Sequence, residues 1–269
     1  MPSLPSLVPV RESLATLPLA AALIVALSPA SSSVTAAEDE QAVAAAFASG
    51  NFDRVIELTE SIPDDSPLVR ARAGAFQRRG VEHFFQAEVE ESIADFDAYL
   101  AYFPEEDPHH WQRGISYYYA DQFEKGKAQF ERHQTVNSQD VENAVFHFIC
   151  AARAPGGTVE KARADFITIE SDPRIPMKEI WALYAGKGTA EEVVAAADAG
   201  NPSEAERRNR LCYAHLYLGL FFEATGETEK SAEHIKLAAG KYRMDHYMGK
   251  VAQVHAKLRN LEVPETPVE

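Results

Sequence analysis

The sequence predicts an all-α protein in which helix-turn-helix units are stacked into a solenoid. The first observation is a pattern that recurs along the chain: Arg79-Gly80-Val81 matches Arg113-Gly114-Ile115. A fixed offset of about 34 residues is typical of helical repeat architectures. The second is the placement of apolar residues at helical spacing, and the third is that Gly and Pro fall mostly between the helical stretches.

The composition indicates a soluble, folded protein. Hydrophobic residues make up 46% and charged residues 25% of the 269 residues, which is unlike a disordered chain. The net charge of -15 repels phosphate backbones, so we expect no nucleic acid partner. The two cysteines, Cys150 and Cys212, lie in apolar helical stretches of different repeats. We therefore expect buried thiols and no disulfide between them.

Residues 1–37 precede the repeat pattern and indicate an export signal peptide. Residues 14–27 form an apolar run that has the length of a signal-peptide core and is short for a membrane span. Small residues follow, and we expect cleavage after Ala36 or Ala37. The mature chain would then be periplasmic or secreted and would have no membrane span. The alternative is an uncleaved N-terminal anchor.

Six helix pairs and a lone last helix are predicted between residues 38 and 262. The predicted pairs cover residues 42–62, 68–103, 109–136, 140–169, 177–199 and 203–239, and the last helix covers residues 245–261. Gly50-Asn51 forms the first turn, Pro63 and Pro67 separate the first two pairs, and Pro104 ends the second pair, because Pro cannot continue a helix. The tail, residues 263–269, contains two prolines and is predicted to be disordered.

The repeat resembles the tetratricopeptide repeat family, whose helices each carry a small residue where the pair crosses. The matching small residues are Gly80, Gly114, Cys150 and Gly219 in the first helices and Ser92, Gly126, Ala162 and Ser231 in the second, followed by Phe96, Phe130, Phe166 and Ile235. Small residues let two helix backbones approach closely. The resemblance implies a right-handed superhelix with a C-terminal capping helix over residues 38–262. It is weakest over residues 177–199.

A further similarity is to the NlpI family of bacterial tetratricopeptide lipoproteins. It lies in the runs from Arg79 to Phe96 and from Arg113 to Tyr119. That family consists of periplasmic adaptors for cell-wall hydrolases, so the resemblance implies a periplasmic scaffold. This chain has no lipid-attachment cysteine near the predicted cleavage site. The similarity therefore concerns fold and compartment more than the identity of the partner.

In tetratricopeptide repeats the first helices line a concave groove, and the resemblance implies an aromatic and apolar groove here. Its residues would be Gln77, Val81, Phe84, Phe85, Trp111, Ile115, Tyr118, Tyr119, Leu216, Leu220 and Glu223. We expect Phe85, Trp111, Tyr118 and Tyr119 to anchor a bound protein segment. The alternative is that about half of the groove residues are core between neighbouring repeats. A homo-oligomer is also open, since a free groove can accept the same protein's terminal helix.

The sequence predicts no catalytic, cofactor or metal site, and hence a non-catalytic adaptor. It has no His-Glu-x-x-His pattern and no paired cysteine motif. The run Gly186-Lys187-Gly188-Thr189 lacks the upstream Gly and strand of a phosphate-binding loop. The alternative function is an envelope hydrolase or metal-dependent enzyme with a site near His109 and His110. Neighbouring helical residues point about 100° apart, which disfavours a shared ion.

Overall fold

The computed structural model describes residues 32–63 and 65–264, and every regular element in these ranges is a helix. The all-α prediction is thereby confirmed for the described part of the chain. The chain divides into two units, Met1–Asp39 and Glu40–Glu269, and the second unit contains the predicted repeats. Residues 1–31 of the predicted signal peptide and residues 265–269 of the predicted tail lie outside the described residues.

The described helices follow the order of the predicted pairs. They are α1 Ser32–Ala48, α2 Phe52–Thr59, α3 Val69–Phe85, α4 Val89–Tyr102, α5 Trp111–Tyr119, α6 Phe123–Gln134, α7 Val141–Arg153, α8 Val159–Ala164, α9 Met177–Tyr184, α10 Ala190–Asp198, α11 Glu204–Ala224, α12 Thr228–Ala239 and α13 Tyr247–Leu258, with a 3-10 helix over Pro104–His109. From α2 onward most helices pack on the helix before and the helix after. Within the described ranges, none is long and apolar enough to cross a bilayer.

The second helix of the fourth pair is shorter than predicted. Its second helix was expected to reach Ile169, but α8 ends at Ala164. Thr168 and Ile169 are β-branched, and Pro173 disfavours a helical conformation at the residue before it, so the following sequence does not favour a longer helix. Phe166 nevertheless packs against the core as a partly buried side chain, and its ring stacks on Trp181 with centroids 5.8 Å apart.

The predicted small residues allow the helix pairs to cross in direct contact. For three glycines in the first helices of the pairs, a Cβ atom would lie less than 3 Å from the facing side chain of the second helix: Gly80 against Phe96, Gly114 against Phe130 and Gly219 against Ile235. Real Cβ atoms do not approach this closely, so a larger residue must push the two helices apart. At these three crossings the glycine of the first helix faces Phe96, Phe130 or Ile235, the residue that lies four positions after the predicted small residue of the second helix.

A Gly114→Leu variant should lose about 1–3 kcal/mol of unfolding free energy, because the added side chain overpacks the contact with Phe130. Urea unfolding followed by circular dichroism measures this loss. Ala94→Leu, at an exposed position of α4, is the matched control and should change the unfolding free energy little. Equal stability of Gly114→Leu and the wild type would contradict the crossing geometry.

At two of the crossings, the arginine next to the glycine forms a side-chain hydrogen bond to the second helix, which was not predicted from the sequence. Arg79 Nε donates to Asp95 Oδ2 at 2.7 Å, and Arg113 Nε donates to Gln129 Oε1 at 3.1 Å. The two links recur at the same interval as the two glycines, since each arginine directly precedes its glycine. The Arg-Gly dipeptide therefore marks both the close contact and the hydrogen bond that joins the paired helices.

The last helix does more than cap the end of the chain. It packs on α11 and α12, as a capping helix would, and it also packs on α3. Lys257 Nζ donates to the carbonyl oxygen of Gln86 at 2.7 Å, across 171 residues of sequence. The last helix is therefore in contact with the second predicted pair.

Candidate protein-binding surface

The structure buries most of the predicted groove. The buried residues are Phe84, Ile115, Tyr118, Tyr119, Leu216 and Leu220. Gln77, Val81, Phe85, Trp111 and Glu223 remain partly exposed. The alternative that many groove residues are core applies to the buried six. In particular, Tyr118 and Tyr119 are core side chains and not exposed anchors in this structure.

Helix α13 accounts for the burial of Tyr119 and Phe84. The Tyr119 hydroxyl hydrogen-bonds with His255 Nδ1 at 3.1 Å. The Tyr247 ring lies parallel to the Phe84 ring with centroids 5.8 Å apart. The side of α3 and α5 that was expected to face a partner therefore faces the last helix of the same chain.

A charged cluster joins α11 to α7 and to the residue that follows α13. The Glu223 carboxylate accepts from Arg259 Nε at 2.5 Å, lies 2.9 Å from Arg153 Nη1, and accepts from the Tyr118 hydroxyl. Burial alone would raise the pKa of Glu223, but the interaction with His255, the charge of Arg153 and the hydrogen bonds from Arg259 and Tyr118 hold that pKa below its usual value. Glu223 is therefore a carboxylate that forms ion pairs with two arginines, which is a structural role.

Three aromatic side chains at the edge of this interface remain partly exposed and form what we call the aromatic patch: Phe85 of α3, Trp111 of α5 and Tyr247 of α13. The Tyr247 ring meets Trp111 edge-on with centroids 4.7 Å apart and lies 5.2 Å from Phe85. The patch thus combines residues from three helices. Phe85 and Trp111 were predicted as anchors, whereas Tyr247 was assigned no binding role.

Two of the three patch residues are held in the same way. Trp111 and Tyr247 are each the first residue of a helix, and the residue before each is a histidine that caps the helix. His110 Nδ1 accepts from the Arg113 N–H at 3.3 Å, and His246 Nδ1 accepts from the Gly249 N–H at 3.1 Å. Capping fixes where the helix begins. The sequence signal is a histidine followed by an aromatic residue at a helix start.

The second ring nitrogen of each capping histidine ties its helix to another one. His110 Nε2 lies 2.6 Å from Gln77 Oε1 on α3, and His246 Nε2 lies 3.0 Å from Asn209 Oδ1 on α11. Because Nδ1 accepts a hydrogen bond in both residues, Nε2 carries the proton and donates. Each capping histidine therefore positions the aromatic residue that follows it in two ways. It caps the helix that carries this residue, and it hydrogen-bonds to a second helix.

The geometry does not assemble a site from His109 and His110. His110 is 4% exposed and uses both ring nitrogens in the hydrogen bonds described above. Burial lowers its pKa to about 3, so the ring is neutral at physiological pH. His109 is exposed. Both nitrogens of His110 are therefore engaged in hydrogen bonds that hold helices in place.

The two cysteines lie in the interior, as expected from the sequence. Both are buried and neither forms a disulfide. Burial raises the pKa of Cys212 to about 12, and it raises the pKa of Cys150 as well. Thiols with such pKa values stay protonated, which makes them poor nucleophiles.

Comparison with known proteins identifies neither a family nor a function for this chain. No protein-family model matches the chain, and no curated protein matches it. The resemblance to tetratricopeptide repeats therefore stays a prediction, supported by the crossing geometry and by the order of the helices.

Proposed function

We propose that this chain is a non-catalytic, exported adaptor of the tetratricopeptide type, which binds another protein through the aromatic patch. The observation that carries the proposal is the meeting of Phe85, Trp111 and Tyr247 from three different helices at a partly exposed position. Partly exposed aromatic residues held in fixed orientations contribute strongly to protein binding. A partner would contact the patch, since α13 already covers the neighbouring groove residues.

The roles of the buried ionisable groups support an adaptor over an enzyme. Glu223 forms ion pairs with Arg153 and Arg259, and His110 holds the start of α5. These groups are engaged in bonds that position helices. A catalytic acid or base needs instead to reach a bound substrate.

Export from the cytoplasm and a superhelix of the tetratricopeptide type are two further parts of this proposal. The apolar run at residues 14–27 followed by small residues supports export. The close crossings at Gly80, Gly114 and Gly219 support the tetratricopeptide type. Self-association through the terminal helix receives no support from this structure, because α13 packs on α3 of its own chain.

A pull-down from envelope extract with residues 38–269 would identify a partner, and isothermal titration with that partner would test the patch. Trp111→Ala should weaken binding by more than about 1 kcal/mol, or about fivefold in Kd, if Trp111 is a hot spot. Tyr102→Ala removes a partly exposed aromatic residue of the second helix α4 and is the matched control. Equal affinities of Trp111→Ala and wild type, with both proteins folded, would reject the patch as the binding site.

A further inference from the structure

Helices α6 and α7 and the end of α8 bring two carboxylates and a histidine together, outside the aromatic patch. Glu131 lies on α6 and His147 on α7, and Asp165 directly follows α8. One ligand atom of each residue lies within 4.8 Å of the ligand atoms of the other two. Because each residue comes from a different element, the cluster results from the packing of consecutive helices.

The cluster already holds a positive charge. Lys127 Nζ lies 2.5 Å from Glu131 Oε1 and 3.0 Å from Asp165 Oδ2. The two carboxylates carry two negative charges and the ammonium carries one positive charge, so a net negative charge remains. Lys127 is on a flexible stem with a partly exposed side chain, and both carboxylates are exposed. The ammonium can therefore move into solvent and leave both carboxylates to another cation.

His147 is the buried member of this cluster. Its side chain is buried, with the residue 2% exposed, and its Nε2 faces Glu131 Oε1 at 3.5 Å. Its Nδ1 is buried and has no hydrogen-bond partner within the described residues. Buried imidazoles usually bond through both nitrogens, and a neutral imidazole beside carboxylates is a metal ligand by its chemistry.

We propose that Glu131, His147 and Asp165 bind a divalent transition-metal ion of the zinc type, with the ammonium group of Lys127 as a competing cation. An imidazole nitrogen with two carboxylate oxygens is a donor set that zinc accepts, and water can complete its coordination. Mg²⁺ and Ca²⁺ prefer oxygen ligands only, so the histidine favours the transition metal. The residues that provide the ligands come from three consecutive elements, so a bound ion would also join α6, α7 and α8.

Titration of residues 38–269 with Zn²⁺ by calorimetry, and with Co²⁺ by visible absorption, tests this site. Lys127→Ala should bind Zn²⁺ at least about tenfold more tightly than the wild type, because the competing ammonium is gone and the site gains one net negative charge. Lys125→Ala, an exposed lysine on the same helix, is the matched control and should leave the affinity unchanged. Loss of the Co²⁺ absorption band in His147→Gln would show that the imidazole is a ligand.

Substitutions of the two exposed carboxylates test the site without disturbing the buried core, so a loss of Zn²⁺ binding in these variants is not caused by unfolding. Glu131→Gln and Asp165→Asn should each lose Zn²⁺ binding, whereas Glu124→Gln, at another exposed acid of α6, should keep it. The proposal is overturned if Lys127→Ala does not bind Zn²⁺, or if Glu131→Gln and Asp165→Asn bind it as the wild type does. Equal binding of Mg²⁺ and Zn²⁺ would also overturn it, since that result would mean nonspecific attraction to the carboxylates.

Discussion

A Glu223→Ala variant should lose about 3 kcal/mol of unfolding free energy, at the low end of the range for breaking a buried ion pair, because its arginine partners are partly exposed. The substitution leaves Arg153 and Arg259 without the carboxylate with which both form ion pairs. It also removes the acceptor of the Tyr118 hydroxyl. Chemical unfolding monitored by circular dichroism gives the free energy.

Two further variants separate the charge of Glu223 from its shape. Glu223→Gln keeps the size of the side chain and an acceptor for Tyr118 but loses the negative charge, so it should be less destabilising than Glu223→Ala. Glu233→Ala removes an exposed acid of α12 and should have little effect. A Glu223→Ala protein as stable as Glu233→Ala would mean that the cluster contributes nothing to the attachment of α13.

Acid should unfold this protein at a pH where many soluble domains are still folded. Burial lowers the pKa of His110 from 6.5 to about 3, and the pKa values of His215 and His255 to about 4. The unfolded chain therefore binds protons below pH 6.5 that the folded chain does not bind. Stability is fully present above pH 6.5 and falls as the pH falls toward 4, because protons favour the state that binds more of them.

The steepness with which the unfolding free energy falls with pH follows from the number of groups whose pKa differs between the folded and the unfolded chain. In this pH window, each buried histidine that stays neutral in the folded protein lowers the unfolding free energy by about 1.4 kcal/mol for every unit by which the pH falls. Three such histidines lower it by about 4 kcal/mol per pH unit. Glu142 acts in the opposite direction, because burial raises its pKa to about 7 and the folded protein therefore binds a proton there that the unfolded chain does not. This proton offsets the effect of about one of the three histidines on the unfolding free energy. The expected net loss is about 3 kcal/mol per pH unit between pH 6 and 4.5, enough to unfold a protein of ordinary stability.

Urea unfolding at pH 7.5, 6.5, 5.5 and 4.5 would measure this slope. His255→Asn keeps a hydrogen-bonding side chain for Tyr119 but removes one titrating group, and it should reduce the slope by about 1.4 kcal/mol per pH unit. His109→Asn, at an exposed histidine, should leave the slope unchanged. A constant unfolding free energy from pH 6.5 to 5 would show that the buried histidines take up protons in the folded protein.

The helices and their close crossings could be predicted from the sequence because they depend on residues near one another in the chain. Gly80 meets Phe96 and Gly114 meets Phe130, and each of these contacts lies within a single helix pair. Such contacts leave a visible spacing, which recurs from one pair to the next. The end of α8 was less predictable, since apolar residues such as Phe166 and Ile169 can pack in an irregular segment as well as in a helix.

The aromatic patch was predicted in part. The repeat register placed Phe85 and Trp111 on the same side of the protein, and the structure brings both to the edge of the α13 interface. Tyr247 was not expected there, although a histidine precedes both it and Trp111. A histidine cap leaves too short a pattern to be recognised without the helix start that it stabilises.

What the sequence determined by itself is the class of fold, the order of the helices and the places where three of the helix pairs cross closely. The tertiary structure alone decided that α13 packs on α3 and α5, which made Tyr119 and Phe84 core residues and left Trp111 partly exposed. The contact between Lys257 and Gln86 spans 171 residues. Its formation depends on the sum of the small rotations between all the intervening helices, and no local pattern of residues encodes that sum.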